Sequence, residues 1–149
     1  MLCTFLVIVV LLLSTSVISI NVNSYKNIRL KSNVRPIHYD LTLVPDLENG
    51  NFYGFANITL KTVTSTDVVV LHSKNLIILL ARMTDDVSKS VINVKQVRSL
   101  MEEQVVHVHL ARKIRPGIYR LSFLYSGSML NGLTGLYLSY YKNRKNETR

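Results

Sequence analysis

The sequence predicts an all-β domain, built as a sandwich or a strongly twisted, saddle-like pair of sheets. Three observations lead there. Apolar and polar residues alternate through several separate runs. Turn-forming residues return between those runs at short, regular spacing. No stretch repeats its apolar residues at the 3.6-residue period of an amphipathic helix.

The first twenty residues, "MLCTFLVIVVLLLSTSVISI", carry no charge. Leu2 to Leu13 is almost unbroken apolar sequence, shorter than the roughly 20 residues of a membrane span. It suits the apolar region of a secretory signal peptide. Residues 1–19 are therefore expected to be a signal peptide cut near Ser19. The alternative is an uncleaved signal anchor lengthened by Val17, Ile18 and Ile20. Cleavage removes Cys3, the one cysteine of the chain. The mature protein is then held together without disulfides in an oxidising compartment. Residues 20–33 read as a polar linker.

The domain itself is expected over residues 34–141. In "IHYDLTL", Ile37, Tyr39, Leu41 and Leu43 share one face, and His38, Asp40 and Thr42 share the other. Side chains of a strand alternate between faces, so this is a strand half buried on its Ile/Tyr/Leu side. Pro36 suits its entry, and Pro45 with "ENG" ends it. "FYGFANITLKT" puts Phe52, Gly54, Ala56, Ile58 and Leu60 on one face, opposite Tyr53, Phe55, Asn57, Thr59 and Lys61. "VVVLHS" and "LIILLARM" are short apolar runs that read as strands buried on both faces, though periodicity alone does not exclude a buried helix. "KSVINVKQV" and "EQVVHVHLA" alternate, parted by "RSLMEE". "RPG" turns into "IYRLSFLYSG", and "GLYLSYY" closes the series as an eighth strand. Residues 142–149 form a basic polar tail.

Eighteen Lys and Arg against nine Asp and Glu give a net charge of +9, all of it after residue 20. A basic secreted domain favours acidic glycans, anionic lipid heads or an acidic neighbour; the plainer reading is a solvated surface. The sequons at Asn57 and Asn146 are candidate N-glycosylation sites and agree with secretion. Secretion also argues against a nucleic-acid partner.

Candidates for chemistry are few. His107 and His109 form an H-x-H pair whose imidazoles share a strand face, but zinc needs a third protein ligand. His38, His72 and Glu103 stand at no informative spacing. There is no Gly-rich phosphate loop and no G-x-S-x-G elbow. Asp85-Asp86 and Glu102-Glu103 are adjacent carboxylates in turns, read as solvated. His38 and Asp40 read as a hydrogen-bonded surface pair. No catalytic, metal or cofactor-binding residue is assigned.

Five stretches in order carry a resemblance: a "P-x-H-Y-D-L-x-L" strand, an "F-x-G-x-x-x-I" strand, an "L-H-S-x-N-L" corner, a "G-x-Y-x-L-x-F-x-Y-x-G" strand and a "G-L-Y-x-S-Y" strand. Together they resemble the amino-terminal domain of the M1 zinc metalloaminopeptidases, the aminopeptidase N-like family, over roughly residues 34–141. The resemblance implies a saddle-shaped β domain packed against a thermolysin-like catalytic domain and helping to wall its cleft. The family's zinc chemistry needs H-E-x-x-H and G-x-M-E-N. Neither is in this sequence, and "LMEEQ" lacks the glycine and sets Glu103 where the asparagine belongs. The sequence also stops before the family's "T-Q-x-E" segment, so no active-site residue carries over.

The expected function is that of a non-catalytic N-terminal domain, secreted or at the outer membrane surface. Its parent would remove N-terminal amino acids from peptides, with zinc held in the catalytic domain. The implied partner is that catalytic domain or another protein chain. A secreted module binding glycans or a protein is the alternative. The resemblance further implies that the last strands of the sandwich lie beyond this sequence. Edges that those strands would pair are then left open. Each large side chain uncovered forfeits about 1.5–3 kcal/mol against a net stability of about 5–15 kcal/mol, so the fold is expected to be marginal by itself.

Overall fold

A computed structural model describes residues 29–130, 132, 135–142 and 144–146. The expected signal peptide, Cys3 and most of the linker lie outside the described residues. The described part is all-β, with eight strands and no helix. These are β1 (Val34–Asp46), β2 (Asn51–Thr62), β3 (Thr66–His72), β4 (Leu76–Asp85), β5 (Val91–Ile92), β6 (Val94–Leu100), β7 (Val105–Ile114) and β8 (Gly117–Ser128). They form a five-stranded sheet in the order β1-β2-β8-β4-β5 and a three-stranded sheet in the order β3-β7-β6. Every pairing is antiparallel.

Two of the eight expected strands are drawn differently. "KSVINVKQV" is not one strand. The chain bends at Asn93, whose carbonyl accepts a hydrogen bond from Ala111 N at 2.9 Å. β5 therefore ends the large sheet and β6 starts an edge of the small one, which joins the two sheets on this side. β6 also runs on through "RSL", expected as a break. "GLYLSYY" is not a strand either. Gly135 takes a positive φ of 79°, and Leu138 N makes a hydrogen bond to Met129 O at 3.0 Å. This segment lies against the core through Leu138.

The core lies between the sheets. Leu60, Met83, Ile92, Ile114, Leu121, Val69 and Val108 are almost fully buried. β2 buries Phe52, Ala56, Ile58 and Leu60, as its alternation predicts. β8 buries Tyr119, Leu121, Phe123 and Tyr125 opposite them.

Two local devices lock this pair. Gly54 stands opposite Tyr125 and Gly127 opposite Phe52, so each aromatic ring lies where a neighbour's Cβ would be. The two rings meet edge to face, 6.3 Å between centroids. Tyr119 donates its hydroxyl to the Arg115 carbonyl at 2.9 Å, which pins the turn into β8. At the corner between β3 and β4, Asn75 takes φ 56°. Asparagine tolerates this left-handed conformation better than most residues.

The expectation for β3 and β4 is overturned. Neither is buried on both faces. Val69 and Leu71 are buried on β3, but Ile77, Leu79 and Leu80 of β4 are 50–61% exposed. No second layer covers the outer face of the large sheet among the described residues. An apolar run does not by itself distinguish a doubly covered strand from one left partly open.

Candidate functional site

β1 departs furthest from expectation. Its apolar side was to be buried, yet Tyr39, Leu41 and Leu43 are 51%, 59% and 44% exposed. Their cross-strand partners on β2 are Ile58, Ala56 and Gly54, so they do belong to the inner face. The small sheet simply does not extend over β1. Ile37 is also misplaced by simple alternation. A bulge between Pro36 and His38 inserts one residue, and Pro36, opposite Leu60, takes the inner register. Edge position explains how one strand accommodates both Pro36 and Pro45.

The result is a sandwich closed at the Asn93 corner and open between β1 and β3. A groove of about 490 Å³ fills the mouth. Tyr39 and Leu41 form one lip, Leu71, His72 and Ser73 the other, and Ile58, Phe123 and Tyr125 the floor. Burial pushes the phenols of Tyr39 and Tyr125 above their ordinary value. Ser73 Oγ is buried with no hydrogen-bond partner.

The outer face of the large sheet is divided. Its far half is apolar: Val44, Tyr53, Phe55, Ile77 and Leu80 are exposed there, with Leu124 beside them. Its near half is polar. Here His38 Nε2 lies 2.9 Å from Asp40 Oδ1, both side chains 63% exposed. A polar contact this exposed contributes little. Asp40 stands opposite Asn57, and His38 opposite Thr59, so the pair flanks the first sequon. Asn57 Oδ1 accepts a hydrogen bond from Ser122 Oγ at 2.6 Å. Asn146 lies in an exposed turn with φ 62°.

The four histidines occupy three surfaces. His38 is on the outer face of the large sheet, His72 lines the mouth, and His107 and His109 share the outer face of the small sheet. Their rings are 6.1 Å apart. Across β6, Arg98 stands opposite His107 and Gln96 opposite His109. A guanidinium beside an imidazole pair repels a dication. Among the described residues no three potential ligands come together.

The adjacent carboxylates also act separately. Asp85 Oδ1 accepts from Val87 N at 3.0 Å and Ser88 N at 2.8 Å. Asp86 is 3.2 Å from both Lys89 Nζ and the Arg120 guanidinium. Hydrogen bonds from Ser88 hold the Asp85 carboxyl below its ordinary value, and Lys89 does the same for Asp86. Glu102 and Glu103 are exposed in the turn between β6 and β7.

These features define a class: an all-β domain of two antiparallel sheets with an open apolar mouth. A family model described as the Peptidase M1 N-terminal domain matches residues 35–149, and the chain belongs to that family. Aminopeptidase A of Gloydius brevicauda is 29% identical over 119 residues, 79% of this chain and 12% of that protein. Aminopeptidase Q of Mus musculus is 32% identical over 133 residues, 78% of this chain and 24% of that protein. The thyrotropin-releasing hormone-degrading ectoenzyme of Homo sapiens is 27% identical over 118 residues, 78% of this chain and 11% of that protein. The chain thus spans a quarter or less of each of these relatives.

Proposed function

We propose that this chain is the non-catalytic N-terminal domain of a secreted or membrane-surface M1 zinc aminopeptidase, which removes N-terminal amino acids from peptides. The observation that carries the reading is the uncovered inner face of β1, in a chain that belongs to this family. Tyr39, Leu41 and Leu43 lie open beside an apolar groove. Contiguous exposed apolar surface marks an interaction site. A neighbouring catalytic domain seated on the mouth would cover it, and zinc would belong to that domain.

In this reading residues 1–19 are a leader, 20–33 a linker, 34–141 the domain and 142–149 a tail. Glycans at Asn57 and Asn146 agree with an extracellular route. A glycan on Asn57 requires the polar half of the outer sheet face to stay in water, which leaves the mouth for the neighbour.

The test is direct. The purified chain is assayed on N-terminal aminoacyl anilides with added zinc, and no turnover is expected. Zinc-dependent turnover by the pure chain would overturn the assignment. Co-secretion with an M1 catalytic domain should give a complex that Leu41→Asp abolishes. A complex unaffected by that change would place the interface elsewhere.

A further inference from the structure

We propose that the outer face of the small sheet holds a binding groove for a sulfated glycan chain. The groove has a volume of about 520 Å³ and adjoins the mouth, with which it shares Arg29 and Leu30. Arg29 and Lys31 stand on one wall, His107 and His109 on the other, and Val68 and Val70 contribute the floor. No carboxylate lines it. Asp67, in the bulge of β3, is not among its lining residues. Arg98, opposite His107 on β6, adds a further cation at the flank.

Three features choose the ligand. The charge is of one sign, so the groove repels metal ions and attracts anions. Its size falls in the range of ligand pockets, about 300–1,000 Å³, and exceeds what a single oxyanion fills. His109 Nε2 has no hydrogen-bond partner but is shielded from solvent, so it reaches a ligand oxygen only once the wall parts around it. An apolar floor between cationic walls suits a sugar ring with sulfates on either side. A flat membrane surface cannot reach the floor of a concavity.

The experiment uses the full chain, secreted from eukaryotic cells, and a fluorescent heparin octasaccharide read by anisotropy. Arg29→Gln with Lys31→Gln should weaken binding by about tenfold or more, since two charge-assisted contacts are lost. His107→Gln with His109→Gln should weaken it in the same direction. Arg29 and Lys31 are exposed, so their loss leaves the fold intact, as circular dichroism will verify. Replacing Lys142, Arg144 and Lys145 of the tail by Gln should change little. The proposal is overturned if the tail variant alone loses binding or if the groove variants bind like the parent. Equal binding to desulfated heparin, or to phosphatidylserine vesicles, also overturns it.

Discussion

Gly54 on β2 faces Tyr125 on β8, and Gly127 on β8 faces Phe52 on β2. A Cβ added at Gly54 would run into the Tyr125 ring, and one at Gly127 would lie 2.6 Å from Phe52. Neither ring can withdraw without leaving the core. Gly54→Ala is therefore expected to destabilise the domain by about 1–3 kcal/mol, the usual cost of overpacking, measured by urea unfolding. An unchanged midpoint would mean that the ring gives way freely. Asp86 makes a different kind of contribution. Its folded-state carboxyl is held below the ordinary value of 3.8, first by Lys89. A depressed carboxyl stabilises above its unfolded value, and that contribution is lost as pH falls through the folded one. Asp86→Asn should lower stability slightly at neutral pH, where that contribution is present, leave it unchanged at the acid end, and so flatten the acid limb below about pH 4. Thermal melts from pH 3 to 7 would read this, and a steeper acid limb in the variant would contradict it.

At the scale of elements, β2 and β8 were legible from alternation alone, because each has one covered and one open face. β1 has the same period, and its inner register was legible too. Its exposure was not, since alternation reports which side chains share a face and not whether a second layer reaches them. The offset at Ile37 was equally hidden, because a bulge leaves no mark on composition. β4 misled in the opposite sense: "LIILLARM" is apolar enough for double burial, yet Ile77, Leu79 and Leu80 stay open. Of the candidate site, the H-x-H pair was visible, but Arg29 and Lys31 beside it were not. They come from a segment that reads only as linker. The bare lip of β1 makes its own prediction. Leu41→Asp should alter the melting temperature of the isolated chain by little, because the side chain is already 59% exposed. Leu121→Ala, fully buried on β8, should cost about 2–5 kcal/mol. If thermal melts of the two variants shift alike, the mouth is not open in solution.

At the scale of the whole molecule, the domain is asymmetric in how well it is closed. One side of the sandwich is joined at Asn93, and the other is left apart between β1 and β3. Large apolar side chains are exposed on both faces of the major sheet. If leader cleavage removes Cys3, nothing in the mature chain can be reduced. A reductant should then leave its melting temperature unmoved in a thermal scan, whereas a shift would point to an intermolecular disulfide through a retained leader.

The sheet order carries one more consequence, for biosynthesis. β8, the last in chain order of the described strands, sits in the middle of the large sheet between β2 and β4. Its contact with β2 joins residues 65 positions apart, as between Asn57 and Ser122. Non-local pairings of this kind form slowly. The first hairpin must therefore wait, with a sticky flank, until translation has passed Ser128. A nascent polypeptide stalled short of that point is a natural client for a chaperone.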